Sequence, residues 1–160
     1  MTPPRLVGEG AVRVAVTSDV AALARLRYEF RAGIEPAAES EPAFVERCTG
    51  WMLERLRSGG SWRCWVGHLR GAIVGTAWLQ LIEKLPNPVR EPERHGYISS
   101  LYVQPVHRGA GLGSALLTAC LREADAMAVD AVILWPTPES RSLYVRHGFA
   151  VRDDLMERRV

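Results

Sequence analysis

Valines alternate with small or charged residues across Ala11–Thr17, where Val12, Val14 and Val16 share one side, the pattern of a half-buried strand. The period then lengthens. Val20, Leu23, Leu26 and Phe30 recur at helical spacing, with Ser18 placed to cap the helix through its hydroxyl and Gly33 to end it. A polar hinge containing Pro36 and Pro42 follows. Phe44, Val45, Cys48, Met52 and Leu56 then predict a second helix, stopped at Ser58-Gly59-Gly60.

The next apolar runs read as strands. Trp62–Leu69 and Ala72–Ile82 flank Arg70-Gly71, a hairpin turn, whereas Lys84–His95 carries three prolines and mixed charge and reads as a loop. Gly96–Val103 predicts another strand, closed by Gln104-Pro105. In Gly111–Ala128 the residues Leu116, Leu117, Cys120, Leu121, Ala124 and Ala128 form one face of a helix, and Ser114, Thr118, Arg122 and Asp125 the other. A short strand at Ala131–Trp135 and a short helix at Glu139–His147 follow, with closing strands expected at Gly148–Val151 and Leu155–Arg159. The order β-α-α-β-β-β-α-β-α-β-β predicts an α+β fold, with a mixed, mostly antiparallel sheet of about seven strands and about four helices. No repeat or interior linker interrupts it, so residues 11–160 are expected to form a single domain behind a loose leader over residues 1–10.

Composition narrows the function without naming it. A chain of 160 residues can bury about 70% of its unfolded surface. Its formal charge of +2 is too small to draw it to nucleic acid or an anionic membrane. Cys48, Cys64 and Cys120 are odd in number, with no CxxC pair, which argues against a disulfide framework or a metal site. No stretch approaches the ~20 apolar residues of a membrane span. A cytoplasmic protein is expected.

The chemistry gathers at Arg108-Gly109-Ala110-Gly111-Leu112-Gly113, a glycine-spaced turn between a strand and a helix. Amides at a helix start lack intrahelical partners, the helix dipole is positive there, and glycines let a ligand approach the backbone, so the turn suits a pyrophosphate. A Walker A loop needs a lysine that this turn lacks. A dinucleotide fingerprint is nearly met by Gly109, Gly111 and Ser114, with Asp130 downstream, but two helices and a hairpin precede the strand and too little chain follows for a doubly wound sheet.

A third pattern, [Q/R]-x-x-G-x-[G/A], is met by Arg108, Gly111 and Gly113. Around it, Leu101-Tyr102-Val103-Gln104-Pro105 resembles an "L-x-V-x-P" strand end, Leu143–Phe149 an "LYxxxGF" segment, and Ile73-Val74-Gly75 an "IVG" strand. Together these segments, and the element order over roughly residues 11–159, resemble the GNAT superfamily of acetyl-CoA-dependent N-acetyltransferases.

The resemblance implies a function and a site. Leu101 and Val103 would lend backbone groups to the pantetheine arm of acetyl-CoA, and Arg108, Gly109, Gly111, Gly113 and Ser114 would hold its pyrophosphate. Tyr144 matches the general acid that protonates the departing thiolate. Two departures stand out: Thr137 occupies a position where many members carry asparagine, and Ser99 and Ser100 replace a carboxylate base, so Ser100 would instead order a water chain. Glu29, Glu35, Glu83 and His95 are the remaining candidates for the base.

Glu29, Glu35, Glu39 and Glu41 against Arg31 suggest an acidic acceptor wall favouring a cationic amine, with Glu29, Glu35, Trp78 and Glu83 as substrate contacts and Trp135 near the edge. The expected acceptor is a primary amine on a small molecule or peptide, with no metal involved. Dimers are common in the family, so a homodimer is compatible with the resemblance. A non-catalytic acyl-CoA sensor is the alternative function.

Overall fold

The computed structural model describes residues 10–160. All but the last residue of the expected leader therefore lie outside the described residues. Five strands and four helices follow one another as β1 (Gly10–Val14), α1 (Val20–Ala32), α2 (Glu41–Ser58), β2 (Trp62–Leu69), β3 (Ala72–Glu83), β4 (Arg94–Val103), α3 (Leu112–Ala126), β5 (Ala131–Ile133) and α4 (Arg141–Arg146). The strands form one sheet in the order β1-β2-β3-β4-β5. Every pair is antiparallel except β4 and β5, which run parallel. The α+β class holds.

The sheet has five strands rather than seven. The segments expected as closing strands form no ladder, and residues 150–160 are all exposed. Their charges turn inward on themselves instead, as in the ion pairs Arg152–Asp154 and Arg159–Glu157. Ser18 is not the cap either. Asp19 accepts the Val16 N–H at 2.8 Å and takes both terminal nitrogens of Arg13 at 2.7 and 2.9 Å. A carboxylate with two partners outcompetes a hydroxyl at the same turn, because charge-assisted hydrogen bonds are the stronger ones.

Alternation of side chains across β2 and β3 divides the apolar residues between two cores. On one face Trp65, Ala77, Leu79 and Ile98 pack against Leu116, Leu117 and Cys120 of α3. On the other, Cys64, Val66 and Trp78 meet Leu23 of α1 and Met52 of α2. Helices thus cover both faces. The start of α3 lies close on the sheet because Gly75 carries no side chain. A Cβ there would sit 3.1 Å from the Tyr102 carbonyl oxygen and 3.2 Å from Leu116. This tight approach brings the glycine turn to the end of β4.

Candidate active site: a glycine turn beside a splayed strand

β4 is longer than the neighbour it pairs with. Its ladder with β5 covers only His95, Gly96 and Tyr97, opposite Ala131, Val132 and Ile133. Beyond Tyr97 no strand among the described residues lies beside the edge of β4, and the two strands part. The cause sits on the other edge. Thr76 opposes Tyr102 while Trp78 opposes Ser99, so two steps on β3 span three on β4. The extra residue is a β-bulge, and Ser100 within it adopts a left-handed φ of +54°. Bulges bend a strand and sharpen its twist, which swings the far half of β4 away from β5. Ser100, expected to serve through its hydroxyl, also shapes the notch through its backbone.

The glycine turn closes the wide end of that notch. Gly109 and Gly111 have φ of +84° and +85°, a region that favours glycine because a Cβ crowds the carbonyl there. The first helical hydrogen bond of α3 runs from Ala115 N–H to the Gly111 carbonyl, and no side chain caps Gly111. Among the described residues, the amides of Leu112, Gly113 and Ser114 therefore have no backbone acceptor. Such orphan amides, at the positive end of a helix dipole, suit an oxyanion.

Several side chains hold this frame in place. Arg108 donates from Nε to the Val103 carbonyl at 2.9 Å, and its guanidinium lies 5.7 Å from the centre of the Tyr102 ring. Tyr102 in turn stacks on Phe30 of α1, with centroids 5.2 Å apart. Burial, and then the charge of Glu29, pushes the Tyr102 phenol above its ordinary range. Ser114 is 3.0 Å from His147 Nε2, while His147 Nδ1 is 2.9 Å from the Leu143 carbonyl. A carbonyl only accepts, so Nδ1 donates to it, and Nε2 shares a hydrogen bond with the Ser114 hydroxyl. This link pins α4 beside the start of α3.

Tyr144 of α4 is buried, with its ring edge-on to Phe149 at 5.6 Å. Burial raises its phenol above the ordinary range, and the nearby Ser140 hydroxyl opposes the shift only in part. The phenol is thus fully protonated near neutral pH. Thr137 spends its side chain locally, since it and Ser140 bond each other reciprocally at the head of α4. The thiols of Cys64 and Cys120 are pushed up by burial, which leaves them poor nucleophiles.

The expected acceptor contacts fare differently. Trp78 is 3% exposed, inside an aromatic cluster with Trp51 and Trp62, so it belongs to the core and not to a substrate wall. Trp135 is 57% exposed just past β5, edge-on to Tyr97 at 5.2 Å. Glu29 does not stand free: both its oxygens accept from Gln104 Nε2, at 3.2 and 3.0 Å, which ties α1 to the end of β4. Glu35 is exposed and lies 4.0 Å from Arg31. Glu83 is exposed opposite Arg94, at the end of β3 remote from the glycine turn. His95 keeps one buried ring nitrogen, Nδ1, without a partner.

Arg27 was not anticipated. It lies one helical turn from both Leu23 and Phe30, on the apolar side of α1, and its Nη1 reaches Ser100 Oγ at 3.4 Å. A cation four residues after a core leucine, on an otherwise apolar stripe, was the signal for it. Among the described residues no trio of histidine, cysteine or carboxylate side chains is arranged to hold a metal, and no helix is long and apolar enough to cross a membrane.

Known proteins share this architecture. A GCN5-related N-acetyltransferase from Ralstonia eutropha superposes with a TM-score of 0.77 at 27% identity, over 93% of this chain and 97% of that one. A predicted acetyltransferase from Clostridium acetobutylicum, solved with acetyl-CoA, gives a TM-score of 0.77 at 24% identity, over 94% and 96%. Glucosamine-6-phosphate N-acetyltransferase from Arabidopsis thaliana shares the fold with a TM-score of 0.68 at 18% identity, over 94% and 97%. The model of the acetyltransferase (GNAT) family matches residues 23–149, most of the chain and the whole of the notch, the glycine turn and α4, and the chain belongs to that family.

Proposed function

We propose that the protein is an N-acetyltransferase that takes its acetyl group from acetyl-CoA and delivers it to a primary amine. One observation carries this: orphan amides at the start of α3 open beside the unpaired edge of β4. The first suits a pyrophosphate, and the second suits an extended arm of amides laid down like an added strand. The residues present therefore fit acetyl-CoA. Arg108, Gly109, Gly111, Gly113 and Ser114 would hold its phosphates, and Leu101 and Val103 its arm. The Val103 carbonyl already accepts from Arg108, so its second lone pair is the one available.

Bound acetyl-CoA would supply the activated thioester. The protein's own groups then have distinct tasks. The bulge takes Leu101 out of register with β3, and its amide is proposed to face the thioester oxygen, where a preformed donor stabilises growing negative charge. Tyr144 retains its proton through burial and would deliver it to the departing sulfur. Ser100 accepts from Arg27, which leaves its O–H to order a chain of waters through which the amine proton would pass to bulk solvent. The notch positions amine and thioester, and positioning alone can supply a large part of the rate.

A thiol reagent tests this reading. Protein, acetyl-CoA and a panel of amines and peptides should release CoA faster than the amine-free blank for at least one acceptor. If acetyl-CoA binds while no acceptor accelerates release, the chain is a sensor of acyl-CoA rather than an enzyme.

A further inference from the structure

The seam between α1 and β4 carries a cation whose contact with Ser100 leaves most of its hydrogen-bonding capacity unused. Arg27 is half-buried, with its guanidinium 5.9 Å from the centre of the Phe30 ring. Among the described residues its one side-chain hydrogen bond is the 3.4 Å contact to Ser100, a neutral hydroxyl in the bulge. Among the described residues no carboxylate lies within ion-pairing distance of it. Arg31, one turn further along α1, adds a second positive charge, and burial together with that neighbour pulls the Arg27 guanidinium below its ordinary range. It remains charged, because arginine does not lose its proton in proteins. The other titratable groups that face it are Cys48 and Tyr97, and burial pushes the Cys48 thiol up.

A charge taken partly out of water without a counter-ion is unfavourable, and proteins pair such groups. Of the acids that the sequence suggests for this wall, Glu35 lies by Arg31, Glu39 pairs with Arg47, and Glu29 keeps its charge but is turned onto Gln104 at the end of β4. At the bulge itself Arg27 is the charge in contact with Ser100.

We infer that Arg27 recognises an oxyanion on the acceptor, so that the preferred substrates are amines bearing a carboxylate or phosphate group rather than polycations. A planar guanidinium presents paired donors that match both groups. With its oxyanion on Arg27, a short acceptor would place its amine at Ser100, where the notch opens. This assignment rests on the proposed acetyl transfer and names the substrate class for it.

Matched acceptors test the idea: β-alanine against β-alaninamide, phosphoethanolamine against ethanolamine, and spermidine as the polycation. In the wild-type protein the anionic member of each pair should show kcat/KM roughly 10- to 100-fold above its neutral partner. Arg27→Gln should erase that ratio, mainly through KM, with acetyl-CoA affinity unchanged. If Arg27 merely props the bulge, Arg27→Gln will slow all acceptors alike and preserve the ratio, which overturns the inference. Preference for spermidine in the wild type overturns it too. Should Arg27→Gln fail to fold, Arg27→Lys keeps the charge without the planar fork and should reduce the ratio in part.

A binding arm separates this inference from the catalytic reading. With CoA present, phosphoethanolamine and β-alanine should raise the melting temperature of the wild type but not of Arg27→Gln. That shift without CoA release from any amine would sink catalysis and leave anion recognition standing. No shift and no anionic preference, with turnover of other amines, would do the reverse. Absence of both shift and turnover overturns both.

Discussion

The start of α3 and the seam between α1 and β4 both gather positive charge, but from different materials. At α3 the charge is partial and belongs to the backbone: orphan amides, two left-handed glycines and no capping side chain. At the seam it is a full charge on one long side chain, held by Phe30 and Ser100. Backbone groups cannot be exchanged by substitution, so the first region suits a ligand common to a family. The second can change with one residue, and so suits selection among acceptors.

The largest effect is expected where that backbone site is filled. Gly111→Asp places a side chain at φ +85° and a negative charge among amides that await an anion, and should remove measurable acetyl-CoA binding by calorimetry. Retained affinity in a folded variant would break the comparison at its first term. Next come two tryptophans, one buried and one exposed. Trp78→Ala should lower stability by about 3–5 kcal/mol in urea unfolding, whereas Trp135→Ala, removing an exposed ring, should cost under about 0.5 kcal/mol. Equal losses would mean that Trp78 is not a core residue.

Smaller effects sharpen the picture. Tyr144→Phe keeps the ring packed on Phe149 and removes only the proton, so kcat should fall about 100-fold with acetyl-CoA affinity unchanged. Full activity would return Tyr144 to a packing role. Asp19→Asn should cost about 1–2 kcal/mol at neutral pH, because it takes the charge from the hydrogen bonds that Arg13 donates. The hydrogen bond from Arg13, and further partners that outweigh burial, hold the Asp19 carboxyl below its ordinary range. Its contribution is therefore present above about pH 4 and disappears as pH falls through the lower folded value. The gap between wild type and Asp19→Asn should close in acid; a gap that widened there would contradict the pairing.

Local pattern revealed much of this molecule before its coordinates did. β2 matched its expected bounds, and α2 and β3 lay close to theirs, because each is bounded by turn or capping chemistry close in sequence: Ser40 and Gly59 for the helix, Arg70-Gly71 for the hairpin. The closing strands were misread for the complementary reason. Alternation in a sequence offers one side of a ladder, but a strand exists only where an edge receives it, and β5 pairs over just three residues. Trp78 turns out to be buried for a similar reason, since composition shows that an indole is near a wall, not whether Trp62 already packs on it.

The sequence by itself determined the glycine turn, the helix behind it, and the Leu-Tyr and Gly-Phe segments that mark the family, because those depend on residues a few positions apart. Tertiary structure decided the rest. The extra residue at Ser100 becomes a bulge only when β3 supplies the register that makes it extra, and that bulge parts β4 from β5. Arg27 becomes a site only when a helix from near the chain's start lies across that bulge, 73 residues away in sequence. Charge and strain at such points arise between segments, and no segment carries them alone.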